Sequence, residues 1–299
     1  RSAAGGACIA AGRIADSLAL AAIFSTLLPM TTSEKARTNR FVVITGANTG
    51  IGRATAEELG RRGHTVVLAG RSAERTQPVL AAIRGAGGEG HFIELDLGEL
   101  ASVRAGAARI LELGRPIDIL INNAGLAGQR GLTKDGFELT FGTNHLGHFL
   151  LTVLLAPSLK SAAPSRIVNV ASQSHYQAKG IDFTALQKPT RTVTGMPEYA
   201  VSKLANVLFT SELARRLGPA GVHSYALHPG VVASDIWRRI PWGLRSLAKL
   251  FMITNEEGAK TSLYCATSPE VAEHNGRYYD KCREKKPSRL SGDAELARQ

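Results

Sequence analysis

Cysteine is scarce in this chain. Its 299 residues include three cysteines, Cys8, Cys265 and Cys282, which form no CxxC pair and lie near no cluster of histidines. This spacing excludes a disulfide framework and argues against a metal site, so we predict no metal ligands. It also suits a reducing compartment, and we expect a cytoplasmic protein.

The sequence also lacks a convincing membrane span at its start. The apolar stretch 18–30 is shorter than the roughly 18–20 residues that cross a bilayer. Charged Arg13 and Asp16 precede it, and no clear small-residue cleavage site of a signal peptide follows. We expect residues 1–38 to be a weakly ordered N-terminal extension. An interfacial anchor that brings the protein to a membrane is the alternative.

No linker rich in proline, serine or glycine divides the chain, and no repeat is visible. The formal net charge of +11 raises the hypothesis of a nucleic-acid partner. The basic residues are scattered, however, and gather only near the C-terminus and around 238–249, without a nucleic-acid-binding motif. We therefore favour solvated surface charge and predict no nucleic-acid partner. Attraction to an anionic membrane surface or a phosphorylated cofactor fits the charge equally well.

From residue 41 onward, short β-branched runs alternate with longer helical stretches, which is typical of βαβ units around a parallel sheet. The pattern predicts strands at 41–45, 65–69, 91–95, 117–121, 166–171, 222–227 and 276–278. It predicts helices at 50–62, 74–86, 99–113, 136–161, 197–217 and 257–268. We predict a single Rossmann-type, doubly wound α/β domain over 39–285, with a mainly parallel sheet of about seven strands. A C-terminal tail, 286–299, follows.

A glycine-rich turn directly follows the first predicted strand and opens the first predicted helix. Its glycines let the backbone turn tightly and approach a pyrophosphate, and the helix N-terminus offers free N–H groups and a partial positive charge. The strand–turn–helix context strengthens a motif that is weak when it stands alone. We therefore predict that a dinucleotide contacts Gly46, Asn48, Thr49, Gly50, Ile51 and Gly52.

The end of the second predicted strand indicates which dinucleotide binds. An acidic residue is expected here when the 2′-hydroxyl of NAD is bound, but the sequence reads Ala-Gly-Arg-Ser, with Arg71 in that region. A guanidinium can pair with a 2′-phosphate, and Arg53 on the first helical turn can assist. We predict a preference for NADP(H), with NAD(H) as the alternative cofactor.

Two further strand ends point to the cofactor. Asp96 follows the third predicted strand and is placed to meet the adenine amino group together with Leu97, although a helix N-cap is an equal alternative for Asp96. Asn123, Ala124 and Gly125 follow the fourth strand, at the carboxyl edge where cofactors lie in open α/β sheets. We assign all five residues to cofactor binding.

Tyr199 and Lys203 are four residues apart in a predicted helix, so their side chains share one face. A phenol with a pKa of about 10 is a poor base at neutral pH. An ammonium about 6 Å away, at an effective dielectric constant near 20, favours the phenolate by roughly 3 kcal/mol. We predict that Tyr199 is the general acid and base, that Lys203 lowers its pKa, and that both residues contact the cofactor.

Two polar residues at neighbouring positions complete the predicted chemistry. Ser172 ends the fifth strand and can donate a hydrogen bond to the substrate oxygen, where negative charge develops. Asn144, in the helix after the fourth strand, can hold a water that links Lys203 to solvent. We predict four catalytic residues, Asn144, Ser172, Tyr199 and Lys203, with Ser172 favoured over the nearby Ser174.

This ordered set resembles the short-chain dehydrogenase/reductase family over about residues 40–285: TGANTGIG, NNAG, Asn144, Ser172, YxxxK and Pro229-Gly230. The stretches DGFE, TNHLGHF, SKLAN and HPGVV are similar to the retinol dehydrogenase-like branch. The resemblance implies NADP(H)-dependent interconversion of a lipophilic aldehyde or ketone and its alcohol. It also implies that Pro229, Gly230 and Val232 contact the cofactor.

The substrate is expected to lie against Ser172, Tyr199 and an apolar lid over about 232–256. Trp237 and Trp242 lie in this lid, and we predict that they contact a small lipophilic carbonyl or alcohol. Two other functions are weighed against this one: a protochlorophyllide reductase-like enzyme and a non-catalytic, dinucleotide-binding scaffold or sensor. The sequence leaves both a monomer and a homodimer open.

Overall fold

The computed structural model describes residues 39–230 and 253–299. The N-terminal extension predicted for 1–38 lies outside the described residues. So do Val232, Trp237, Trp242 and most of the predicted lid.

One sheet organises the described residues. Its eight strands have the order β3-β2-β1-β4-β5-β6-β7-β8. Neighbouring strands from β3 to β7 pair in parallel, and β8 pairs antiparallel to β7. The strands are β1 (Phe41–Thr45), β2 (Thr65–Gly70), β3 (Glu89–Glu94), β4 (Ile119–Asn122), β5 (Ser165–Val170), β6 (Val222–His228), β7 (Arg277–Asp280) and β8 (Arg283–Glu284).

The central strands are apolar on both faces because helices cover both faces of the sheet. All five residues of β1 are buried. Val42 and Ile44 pack in the core on one face, and Phe41 and Val43 pack in the core on the other face. The continuous apolar runs of the sequence therefore follow from this two-sided burial.

Seven helices flank the sheet in the described ranges 39–230 and 253–299. They are α1 (Gly50–Arg61), α2 (Ala73–Gly85), α3 (Leu100–Glu112), α4 (Leu139–Ser161), α5 (Met196–Leu217), α6 (Asn255–Thr267) and α7 (Ala294–Arg298). Helix α4 contains a π-helical turn, Gly142–Leu146, between two α-helical segments. This wider turn changes the direction of the side chains of α4 near the site described below.

The predicted single α/β domain with a mainly parallel sheet is confirmed, and the differences are local. The third strand begins at Glu89 and not at 91, and the fourth covers Ile119–Asn122 and not 117–121. The eighth strand was not predicted, since its two residues, Arg283 and Glu284, are exposed and carry no apolar alternation. Helix α4 begins at Leu139 and not at 136.

The chain beyond residue 285 is folded against the domain. A 3-10 turn, Arg289–Gly292, precedes α7, and both contact α5. Within this segment Ser291 is buried. The segment predicted as a C-terminal tail thus packs on the helix that carries Tyr199 and Lys203.

Helix α4 is the one described helix that is long and apolar enough to cross a membrane by length and composition. Half of its apolar window is buried inside the protein. Leu151, Leu155 and Leu159 are completely buried in the core beside α3 and the sheet. The place of α4 in the core therefore explains the apolar character of its buried half.

Candidate active site

The turn after β1 is closely packed. Gly46 and Gly50 have φ angles of +67° and +59°, which glycine adopts without steric cost. A Cβ atom at Gly52 would lie 2.4 Å from both the Gly46 carbonyl oxygen and Asn123 Nδ2. Only glycine fits at this position without moving the backbone of the turn.

The turn has the properties that a dinucleotide phosphate requires. Helix α1 begins at Gly50, with no acidic residue in its first turn, so its N-terminal partial positive charge is not offset there. Asn48, Gly50 and Ile51 are half-buried, and Thr49 is exposed. The predicted pyrophosphate contacts therefore line one accessible backbone turn.

Hydrogen bonds join this turn to the loop after β4. The Thr45 hydroxyl accepts the backbone N–H groups of Asn123 and Ala124, both at 3.0 Å. Asn123 Nδ2 donates to the carbonyl oxygens of Thr45, at 2.8 Å, and of Gly46, at 3.2 Å. The two predicted cofactor loops thus form one hydrogen-bonded unit.

Sequence reasoning missed Thr45 and His148, which connect this unit to Asn144. Thr45 Oγ1 lies 2.8 Å from His148 Nε2, and the Thr45 oxygen already accepts two N–H groups. The hydroxyl proton therefore points to Nε2, so the ring carries its hydrogen on Nδ1 and donates to the Asn144 carbonyl at 3.0 Å. Burial lowers the pKa of His148 to about 3. The one signal in the sequence is a histidine within an apolar helix.

The positions predicted for the adenosine end of the cofactor follow β2 and β3. Arg71 is exposed directly after β2. Arg53 is ion-paired with Glu57 at 2.8 Å on the same helix, so its guanidinium is directed along α1. Asp96 Oδ1 accepts the backbone N–H of Gly98 at 2.9 Å. The N-cap of α3 is Glu99, so Asp96 is not that N-cap.

Ser172, Tyr199 and Lys203 come together where β5 meets α5. All three are buried. Lys203 Nζ lies 5.6 Å from the centroid of the Tyr199 ring and donates to the Val170 carbonyl oxygen at 2.8 Å. The Ser172 hydroxyl lies beside the Tyr199 phenol and acts to lower its pKa. Ser172 and Tyr199, which are 27 positions apart in the chain, thus lie in one cluster with Lys203.

Within the protein itself, the pKa of Tyr199 shifts in the direction opposite to the effect expected from Lys203. Burial raises the pKa of Tyr199, and the hydrogen bond from Ser172 opposes this rise only in part. Burial also lowers the pKa of Lys203 to about 8. The expected lowering rests on the attraction of the ammonium, and the desolvation of the phenolate, which favours the protonated phenol, acts against it.

Asn144 lies in the π-helical turn of α4 and is completely buried. Its Oδ1 accepts the backbone N–H of Leu126 at 2.9 Å, and its Nδ2 donates to the Leu126 carbonyl at 2.9 Å and to Ser202 Oγ at 3.1 Å. A Cβ atom at Gly125 would lie 3.3 Å from Asn144 Oδ1 and 3.5 Å from Lys203 Nζ. Asn144 and Lys203 therefore flank the same glycine.

Ser172 also starts the short turn that follows β5. Its Oγ accepts the backbone N–H of Ser174 at 3.1 Å and lies 3.2 Å from Ser174 Oγ. The contact with Tyr199 belongs to Ser172, which agrees with the choice of Ser172 over Ser174. Ser174 instead lies beside the Ser172 hydroxyl as a hydrogen-bond partner.

Pro229 and Gly230 follow β6 at the same carboxyl edge of the sheet. Both are half-buried. Gly230 has a φ angle of +93°, and a Cβ atom here would lie 2.4 Å from Ile253 Cδ1. The predicted contacts of Val232, Trp237 and Trp242 fall outside the described residues.

A groove of about 790 Å³ between α4 and α5 is separate from this cluster. Its apolar lining includes Phe149, Leu208 and Phe209. Leu208 is nine residues after Tyr199, which is about 2.5 helical turns, and so it faces the opposite side of α5. This groove is not part of the cluster around Tyr199.

Comparisons with known proteins agree with this arrangement. The family model of the short chain dehydrogenases matches residues 40–242. Retinol dehydrogenase 13 of Homo sapiens is 44% identical over 268 residues, which cover 86% of this chain and 81% of that protein. Retinol dehydrogenase 12 of Mus musculus is 44% identical over 252 residues, covering 82% and 78%.

Among solved structures, an uncharacterized protein from Mycobacterium Paratuberculosis is similar with a TM-score of 0.69. It is 36% identical, and the match covers 87% of this chain and 89% of that one. The predicted family and its retinol dehydrogenase-like branch are thereby confirmed. The chain belongs to the short-chain dehydrogenase/reductase family and is an NAD(P)-dependent oxidoreductase that acts on CH–OH groups.

Proposed function

We propose that the protein interconverts a lipophilic aldehyde or ketone and its alcohol, with NADP(H) as the preferred cofactor. The observation that carries this proposal is the cluster of Ser172, Tyr199 and Lys203 at the sheet edge that also holds the glycine turn. The names of the related retinol dehydrogenases support an alcohol with a large apolar body.

Tyr199 is the proton donor in the reduction. A bound nicotinamide supplies a hydride to the carbonyl carbon, or takes one from the alcohol carbon. Burial raises the pKa of Tyr199, so the phenol is protonated at neutral pH and can give its proton to the carbonyl oxygen. Ser172, which lies beside Tyr199, donates to the same oxygen as negative charge develops there.

Lys203 and Asn144 support this proton transfer. One of the three N–H bonds of the Lys203 ammonium is directed to the Val170 carbonyl, which leaves two for the ribose of the cofactor and a water. Asn144 lies across Gly125 from Lys203 and is held rigidly by its bonds to Leu126 and Ser202. We infer that Asn144 places the water that resupplies the proton through Lys203.

The remaining contacts set the choice of cofactor and substrate. The exposed guanidinium of Arg71 after β2 is available for a 2′-phosphate, and Asp96 and Leu97 border the adenine. Pro229, Gly230 and Val232 are assigned to the nicotinamide end. Trp237 and Trp242 are assigned to the apolar lid over the substrate.

The proposal is tested by measuring turnover with aldehydes and ketones of increasing apolar size, retinal included. Each substrate is assayed with NADPH and with NADH, and the corresponding alcohols are assayed in the reverse direction. We expect turnover that increases with apolar size and is faster with NADPH. Dinucleotide binding without turnover of any substrate would instead support a non-catalytic sensor or scaffold.

A further inference from the structure

The C-terminal segment 285–291 covers the turn that follows Ser172. The Lys285 backbone N–H donates to the Tyr278 carbonyl at 2.8 Å. The Tyr176 hydroxyl donates to the Lys286 carbonyl at 2.6 Å, and the Ser288 backbone N–H donates to His175 Nε2 at 3.1 Å. The segment is thus attached to β7 by a main-chain bond and to the turn through the side chains of Tyr176 and His175.

The bond from Ser288 determines which ring nitrogen of His175 carries hydrogen. A backbone N–H can only donate, so Nε2 is the acceptor and the hydrogen of the neutral ring is on Nδ1. Nδ1 lies 2.6 Å from the Ser172 carbonyl oxygen, to which it donates. The His175 backbone N–H donates to the same oxygen at 3.2 Å. One residue therefore holds the Ser172 carbonyl twice.

The surroundings of His175 keep the ring neutral and fixed. It is completely buried, with ring centroids of Tyr176 at 4.0 Å and Tyr278 at 4.8 Å. Burial lowers the pKa of His175, with a further small effect of the Lys285 ammonium. That ammonium is paired with Asp280 at 2.8 Å. His228 is a further titratable group nearby, and burial lowers its pKa to about 4.

We propose that His175 is a positioning residue that transmits the fold of the C-terminal segment to Ser172. Ser288 imposes the Nδ1–H tautomer of the His175 ring. The hydrogen bond from Nδ1 then fixes the carbonyl of Ser172, and with it the position of the Ser172 hydroxyl beside Tyr199 and the substrate oxygen. This inference rests on the proposed function for its effect on turnover. It assigns a role in catalysis to a segment that lies outside residues 40–242, the part matched by the family model.

Ser288→Pro and Ser288→Ala form a matched pair for testing this role. Ser288 has a φ angle of −59°, which proline adopts. Both variants lose the hydroxyl contact with Ser291 at 2.9 Å and keep the Ser288 carbonyl that accepts the Ser291 N–H. Only proline removes the N–H that donates to His175, and its Cδ atom, which takes the place of this hydrogen, also forces the ring to move.

Turnover is measured for carbonyl reduction with NADPH and with NADPH deuterated at the transferred position. Misplacement of Ser172 slows the chemical step, so we expect Ser288→Pro to lower kcat about tenfold and to increase the kinetic isotope effect. The KM for NADPH is expected to stay unchanged, and Ser288→Ala to stay within about twofold of wild type. Equal kcat and isotope effects in the two variants would overturn the proposal.

His175→Asn and His175→Leu provide a second comparison, in which both variants lose the acceptor of the Ser288 N–H to the same extent. The asparagine amide can still donate to the Ser172 carbonyl, whereas leucine cannot. We expect His175→Asn to retain more of the wild-type kcat than His175→Leu. Equal losses in the two variants would contradict the role of the Nδ1 hydrogen bond.

Long-range ¹H–¹⁵N spectra of the His175 ring test the tautomer without any turnover. We expect the Nδ1–H form in wild type and in Ser288→Ala, and a change of tautomer or charge in Ser288→Pro. An Nε2–H ring in wild type would overturn the inference. Failure of the proposed function alone would instead show as absent turnover in wild type, with the predicted ring spectra preserved.

Discussion

Gly52→Ala tests whether the turn after β1 holds the dinucleotide. The added Cβ would lie 2.4 Å from the Gly46 carbonyl oxygen and from Asn123 Nδ2, whereas ordinary contacts begin at 3.4 Å. The turn and the loop after β4 must therefore separate by about 1 Å. Such overpacking costs about 1–3 kcal/mol. If this cost destabilises the conformation of the turn that binds the dinucleotide, the Kd for NADPH increases about 5- to 150-fold.

The measurement is a fluorescence titration of wild type and variant with NADPH and with NADH. Gly85→Ala is the control, because Gly85 ends α2 and a Cβ there meets nothing within 4 Å. We expect unchanged Kd in the control and a gain of about 0.5–1 kcal/mol in unfolding free energy. A folded Gly52→Ala protein that binds both dinucleotides as wild type does would refute the assignment of this turn.

Three other perturbations test cofactor choice, proton transfer and acid stability. We expect wild type to prefer NADPH by at least about tenfold in kcat/KM and Arg71→Asp to reverse this preference. Arg53→Ala should have little effect, because Arg53 is paired with Glu57. Equal use of both cofactors by wild type would contradict the role of Arg71. Because burial raises the pKa of Tyr199, kcat/KM for alcohol oxidation should rise with pH throughout the neutral and alkaline range. Reduction should stay flat between about pH 6 and 7, below the pKa of about 8 of Lys203. A decrease of the oxidation rate with pH would argue against a tyrosine base. Burial lowers the pKa of His145 to about 4, against about 6.5 in the unfolded chain. Below pH 6.5 the unfolded state therefore takes up a proton that the folded state does not, and the free energy of unfolding decreases as the pH is lowered. In urea denaturation, His145→Phe should therefore lose less stability than wild type between pH 7 and 5, by at most about 2 kcal/mol because His145 is only half-buried. An unchanged pH dependence would contradict a neutral imidazole at this position.

The parts of the site that follow from local geometry could be predicted from the sequence. The positions of Tyr199 and Lys203 on one helix face follow from their spacing. The glycine turn could be located because it stands between a predicted strand and a predicted helix. Asn123 and Ser172 were placed at one edge because parallel strands end at the same side of a sheet. The confirmed fold supports this reasoning, while the roles of the individual residues stay predictions.

The parts that depend on distant contacts could not be predicted. Thr45 and His148 are 103 residues apart, and His175 and Ser288 are 113 residues apart. No local pattern signals that such pairs form hydrogen bonds. The upward effect of burial on the pKa of Tyr199 was missed for a related reason, because this burial depends on the packing of the whole domain. These contacts become visible only when the strands and helices are assembled.

Turnover of Tyr199→Phe tests the central claim most directly. Phenylalanine keeps the buried ring beside Lys203 but has no proton to transfer. We expect NADPH to bind with wild-type affinity, while carbonyl reduction falls by about 10²- to 10⁴-fold, the range for loss of a general acid. If a folded Tyr199→Phe protein instead keeps substantial activity, another residue or a water carries the proton, and the assignment of Tyr199 is wrong.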